Sequence, residues 1–222
     1  MRDNKSAHNS AVYDARIENV LPYYREYHFQ IMDMVNSMGF KDVKWLDTGC
    51  GTGTLAMRVL EERSDVSFTL SDPSEQMLAV AKEKLAGRDI RYIVGTSQEL
   101  EFESEFDVVT AVQSHHYLQP DERRLAVQKC YNALRDSGIF MVFENIRMTT
   151  DESEAIALSR WAKYLEEHGN TQEEIQFQMD RRGTEVLPIT IEEHIKVLRD
   201  AGFKSVNLLW ASYLQAGLWA IK

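Results

Sequence analysis

Three glycines at alternate positions behind a short apolar run, in Trp45, Leu46, Asp47, Thr48, Gly49, Cys50, Gly51, Thr52 and Gly53, constrain this chain more than any other stretch. Val43, Trp45 and Leu46 predict the end of a buried strand with Asp47 at its carboxyl end. The glycines then allow a turn tight enough to bring backbone against a ligand. A helix over Thr54 to Glu62 would start there with its amides aimed at whatever is bound. A hydride-transfer dinucleotide loop needs glycine at its sixth position, which counted from Gly49 is Thr54. Asp47 would also oppose a pyrophosphate, whereas a ligand carrying an amine and a sulfonium would welcome its charge. The bland alternative is a glycine turn that binds nothing.

The loop resembles motif I of the class I S-adenosylmethionine-dependent methyltransferases, and the strands downstream extend the resemblance. Val66 to Leu70 leads to Ser71, Asp72 and Pro73, where a carboxylate would accept from both ribose hydroxyls, with Met77 on the helix beyond. Asp72 would otherwise only cap the helix beginning near Ser74. A strand over Ile90 to Val94 runs into Gly95, Thr96, Ser97 and Gln98, the turn that meets adenine in that family. The family often has an acid where Thr96 stands, so the Ser97 backbone and the Gln98 side chain become the expected adenine contacts. Phe106 to Val112 ends in Gln113, Ser114, His115 and His116, at the sheet edge where open parallel sheets keep their ligands. His115 is the candidate for facing cofactor or acceptor. His116 reads as structural or as an acceptor contact, and Gln113 as a cofactor contact.

Length and composition bound the rest. With 222 residues, 44% of them hydrophobic, the chain suits one α/β domain with a modest insertion. A net charge of -10 without a basic stripe disfavours tight nucleic-acid binding, leaving a small-molecule acceptor. No apolar run approaches the ~20 residues that span a bilayer, and Met1 to Ser10 lacks an apolar signal core. No membrane association and a cytoplasmic location are expected. Cys50 and Cys130 form no paired motif and read as free thiols. Adjacent histidines do not converge easily on one ion, and no ligand cluster has metal spacing, so no metal is expected.

Strand and helix alternate after two opening helices, near Ala11 to Asn19 and Tyr23 to Ser37, which predicts right-handed crossovers and a parallel sheet. Helices are expected at Ser74 to Ala86 and Asp121 to Leu134, then a strand over Ile139 to Glu144. Residues 145–184 break the rhythm with helices over Glu152 to Glu167 and Gln172 to Arg182. A last helix, Ile191 to Ala201, precedes two strands, Ser205 to Trp210 and Tyr213 to Ile221, joined as a hairpin. The expectation is a Rossmann-like, doubly wound seven-stranded sheet with an antiparallel last strand. Residues 1–40 would be a helical lid and 145–184 a helical insertion, all within one domain, 1–222.

The resemblance runs from Tyr13 to Lys222 and is nearest the branch related to carboxy-S-adenosylmethionine synthase. It rests on Tyr13, Asp14 and Arg16, on Pro22, Tyr23 and Tyr24, on the Asp47 loop, on His115 and His116, and on Gln215, Ala216 and Gly217. In that branch opening helices close over the cofactor and an aromatic hydroxyl reaches its methionine carboxylate. Tyr24 matches that position, with Tyr13 and Arg16 as helpers. Asp47, Gly49, Cys50 and Gly51 would line the loop side. The resemblance implies methyl transfer from S-adenosylmethionine, leaving S-adenosylhomocysteine. A synthase-like reaction that consumes prephenate and a non-catalytic cofactor-binding module are the alternatives. Arg181, Arg182 and His194 are the groups available for an extra carboxylate, and an Arg181 and Arg182 pair turned inward would favour an anionic acceptor. Trp161, Tyr164, Phe177 and Met179 would wall the acceptor or serve as core. His115 is the candidate base if the acceptor must lose a proton. A homodimer is the oligomeric expectation.

Overall fold

The computed structural model describes residues 13–222, so Met1 to Ser10 and the expected helix start at Ala11 lie outside the described residues. Two helices, α1 (Tyr13–Val20) and α2 (Tyr24–Met38), precede β1 (Val43–Thr48), α3 (Thr54–Glu62), β2 (Val66–Asp72), α4 (Glu75–Lys84) and β3 (Ile90–Val94). The second half runs β4 (Phe106–Val112), α5 (Pro120–Ala133) and β5 (Leu134–Asn145). Helices α6 (Asp151–Glu167), α7 (Gln172–Asp180) and α8 (Ile191–Asp200) then lead to β6 (Ser205–Ser212) and β7 (Gln215–Ile221).

The strands form one seven-stranded sheet in the order β3-β2-β1-β4-β5-β7-β6. The first five are parallel, and β7 runs antiparallel to both β5 and β6. Because the chain winds outward from β1 to β3 and then returns to β4, the ends of β1 and β4 lie side by side at the reversal point. That is where such sheets open a crevice.

Alternation along the strands divides the core between two faces. Trp45, Val108, Met141 and Phe143 meet α2 and α3 through Tyr27, Ile31, Val35, Leu55 and Val59. Leu46, Val109, Phe140 and Val142 meet α5 and α8 through Val127, Cys130 and Leu198. Helix α2 is therefore a layer of the core. Its residues Tyr27, Ile31 and Val35 are wholly buried at fourth-residue spacing, which corrects the expectation that the whole segment 1–40 is a lid.

Helix α1 packs differently, against the insertion. Its last carbonyls lack intrahelical partners, and the insertion supplies them: Trp161 Nε1 donates to Val20 O at 2.9 Å, Tyr164 Oη to Glu18 O at 2.8 Å and Asn170 Nδ2 to Asn19 O at 3.0 Å. Helices α7 and α8 each begin at a threonine whose hydroxyl accepts the backbone N–H three residues on, Thr171 from Glu174 and Thr190 from Glu193. Strand β5 starts at Leu134, earlier than Ile139, because its first residue pairs with Phe106 ahead of an irregularity in register. Among the described residues no helix is long and apolar enough to cross a membrane.

Candidate active site

Gly49, Gly51 and Gly53 all take left-handed φ angles, +67°, +55° and +72°. A Cβ on Gly49 would fall 2.4 Å from that of Ser114, while one on Gly51 would meet nothing within 4 Å. The loop thus packs β1 against the end of β4 on one side and leaves the other side open. Asp72 fixes its curvature, accepting from Gly51 N through Oδ2 and from Ser74 N through Oδ1, both at 2.9 Å.

The open side faces a cleft of about 450 Å³. Tyr13, Gly49, Gly51, Asp72, Pro73, Met77, Thr96, Ser97, Gln98, Gln113 and His115 all line it. A smaller recess of about 30 Å³ behind the loop gathers Tyr24, Asp47 and Cys50 with Tyr13, Gly49 and Gly51. Asp47 is buried and accepts from Thr110 Oγ1 at 2.7 Å, and that hydroxyl in turn accepts from Trp45 Nε1 at 2.9 Å. Burial outweighs the Thr110 hydrogen bond and, with the charge of Asp72, pushes the Asp47 carboxyl up to about 7. The Cys50 thiol is raised by burial and by the same two acids, which keeps it protonated.

This arrangement fits an adenosyl cofactor with a cationic amine. Gly51 leaves room for backbone contact, and Gln98, which lines the cleft, has a buried Oε1 without a partner. Among the described residues no cluster of three or more His, Cys, Asp or Glu is placed to hold a metal.

Two expectations need correction. Arg16 turns away from the cleft, and its Nη2 pairs with Glu174 of α7 at 2.5 Å. A partner 158 residues away cannot be read from local spacing. His115 does line the cleft, but its Nε2 lies 3.0 Å from Ser97 Oγ, which is 2.8 Å from Thr48 Oγ1. Burial lowers its pKa to about 4 despite the nearby Glu144. A ring so averse to protonation is poorly suited to be a general base. It ties the ends of β1, β3 and β4 together instead.

Behind Tyr13, Gln113 and Tyr117, which line both spaces, lies a second cavity of about 50 Å³. Its wall includes His116, Asn145, Trp161, Gln178, Arg181 and Arg182. Arg181 Nε pairs with Glu185 at 2.8 Å. Arg182 Nη2 donates to Glu154 at 2.7 Å and to Ile146 O at 3.0 Å, while its Nη1 is buried without a partner. The expected arginine pair therefore reaches the cavity, but each member already has an acidic neighbour. Trp161 both walls the cavity and belongs to the core, whereas Phe177 is largely exposed and lines neither space. His194 is buried, has its pKa lowered to about 4 by desolvation, and lines neither space.

Tyr117, Asn145 and Glu144 were not expected from the sequence. Tyr117 sits in the wall between cleft and cavity. Gln113, Gln215 and Asn145 close a ring of three amide hydrogen bonds of 2.8, 2.9 and 3.1 Å across the ends of β4, β7 and β5. Glu144 is fully buried and accepts from His115 N, His116 N and His116 Nδ1. Its only sequence signal is an acid closing the apolar run Phe140 to Phe143.

A cleft at the reversal point, a glycine loop with an acid on each flank and a β7 inserted antiparallel together define a class I S-adenosylmethionine-dependent methyltransferase. A family model described as a methyltransferase domain matches residues 46–138. Within the class the chain is related to the carboxy-S-adenosylmethionine synthases. It is 25% identical over 203 residues to that of Nautilia profundicola, covering 90% of this chain and 86% of the relative. It is 27% identical to that of Campylobacter concisus, covering 92% and 89%. Its fold is similar to that of a methyltransferase from Leishmania major, with a TM-score of 0.64, 15% identity, and coverage of 97% of this chain and 79% of the other.

Proposed function

We propose that Asp72 holds the ribose of S-adenosylmethionine, Ser97 and Gln98 meet its adenine, and Asp47 and Tyr24 face its amino-acid end. Tyr13 completes that side from α1, and the whole described chain works as one domain under this lid. When bound, the cofactor supplies a methyl group already activated by a sulfonium. The chain's task is to hold a small acceptor in line and exclude water. The observation that carries this reading is the shared wall of Tyr13, Gln113 and Tyr117 between the two spaces.

The acceptor is an anion. Arg182, which lines the small cavity, has a side chain only 8% exposed and a buried Nη1 without a partner; a buried donor left unpaired costs about 1–3 kcal/mol. A carboxylate would satisfy it. Arg182→Gln is expected to raise the acceptor KM roughly tenfold or more, in line with about 1.5–3 kcal/mol for a hydrogen bond to a charged group. S-adenosylhomocysteine affinity should stay unchanged, and equal KM values in the two proteins would remove the anionic acceptor.

The relatives named as carboxy-S-adenosylmethionine synthases favour a second reading, in which the extra carboxylate sits on the cofactor itself. Mass spectrometry of the nucleoside that copurifies, repeated after incubation with prephenate, separates the two by one carboxyl group. A homodimer is supported by the edge strand β6, where exposed Leu208 lies on the same strand as Trp210, itself against exposed Tyr23. Sedimentation velocity would decide it.

A further inference from the structure

Three donors converge on one buried carboxylate at the end of β5. Glu144 Oε1 accepts from His115 N at 3.0 Å, and Oε2 accepts from His116 N and from the ring Nδ1 of His116, both at 2.7 Å. Burial alone would raise this carboxyl, but His116 first, then His115 and His194, outweigh it and hold it near 2. An ionised carboxylate only accepts hydrogen bonds, so at 2.7 Å Nδ1 of His116 is the donor, the 3.4 Å approach of Asn145 N to the same atom being the weaker contact, and in the neutral ring the lone pair then stands on Nε2. No described residue bonds Nε2, and it is not among the ring nitrogens sealed without a partner, as His115 Nδ1 and His194 Nε2 are. His116 lines the same small cavity as Arg182.

We propose that His116, oriented by Glu144, takes the proton from the acceptor, and that the acceptor is a small hydroxy acid whose carboxylate meets Arg182. This rests on the acceptor cavity assigned above. In the step, the hydroxyl oxygen gives its proton to His116 Nε2 as it forms its bond to the methyl carbon, the sulfur keeping the electron pair of the broken carbon–sulfur bond. The imidazolium so formed is stabilised by Glu144, and its proton passes to solvent when product leaves. The arrangement is the histidine–carboxylate logic of base catalysis, with His116 as the group touching the acceptor and Glu144 as its positioning residue. The cavity's size agrees: it holds about 50 Å³, where one water needs roughly 10–15 Å³.

The first test needs no turnover. Proton NMR of the protein labelled with nitrogen-15 histidine is expected to show a far-downfield Nδ1 proton for His116, lost in Glu144→Gln and in His116→Gln. An unprotonated Nδ1 would overturn the proposal. The second test uses a series of hydroxy acids from glycolate to 3-hydroxybenzoate, each beside its thiol counterpart, with methyl-labelled S-adenosylmethionine. His116→Gln should lower kcat on the hydroxyl members by about 100-fold or more, within the range of general-base effects. It should lower kcat on the thiol members by less than about tenfold, because a thiol ionises close to neutrality unaided. Glu144→Gln should give the same pattern in milder form, with S-adenosylhomocysteine affinity retained in both variants as the check on folding. If hydroxyl and thiol members fall equally, or neither falls, this inference fails and the cavity assignment stands. If no member of either series is methylated while S-adenosylhomocysteine binds, the anionic-acceptor reading fails and carries this one with it.

Discussion

Asp47 combines an unusual environment with a role that the sequence already suggested. Its carboxyl is raised from 3.8 to about 7 by burial, so between about 4 and about 7 the folded protein holds a proton that the unfolded chain has released. Stability therefore declines as pH rises through that window and levels off above it. Asp47→Asn should remove the decline, melting at a higher temperature than the parent at pH 8 and close to it at pH 4. A cationic amine beside Asp47 would favour its ionised form. Binding of S-adenosylhomocysteine at pH 6 is thus expected to release a proton in the parent and none from this site in Asp47→Asn. Calorimetry in two buffers of different ionisation enthalpy reads this directly, and proton release that is the same in both proteins would contradict the amine contact. The acid itself was legible because it closes an apolar run before the glycines. Its elevated pKa was not, since that comes first from burial beneath elements distant in the chain and then from the charge of Asp72 on another strand, against the lowering hydrogen bond from Thr110.

Among elements, those whose residues carry a clear period were legible to within a residue or two. Helix α3 and strands β3 and β4 fall where the apolar pattern and the glycine turns put them. Helix α2 belongs to the core, and the spacing of Tyr27, Ile31 and Val35 already marks a core-facing stripe. The site was harder to read than the fold because its links span the chain: Arg16 reaches Glu174, and Asp14 accepts from Thr52 Oγ1 at 2.6 Å and from Lys84 Nζ at 2.6 Å across the glycine loop. Those last two contacts tie α1 to the glycine loop and to the end of α4. Hydrogen exchange should show residues 13–20 protected further by S-adenosylhomocysteine, with α2 strongly protected in both states. Asp14→Asn should speed exchange in α1 alone. Equal protection of α1 with and without ligand would leave it a fixed wall.

For the whole molecule, the order β3-β2-β1-β4-β5-β7-β6 brings the loops after β1, β2, β3 and β4 to one edge, and the insertion after β5 hangs α6 and α7 over it. The cleft therefore comes from the first half of the sheet, while α1, the end of β4, the end of β5 and the insertion together line the small cavity. Tyr13, Gln113 and Tyr117 stand where the two meet. On the function proposed above, a methyl group passes across that wall. A crystal structure with S-adenosylmethionine tests it most directly: the ribose should lie on Asp72, with the methyl group directed between Tyr13 and Tyr117 toward Arg182 and His116. A cofactor whose methyl faces open solvent, or one seated away from the Gly49–Gly53 loop, would contradict it.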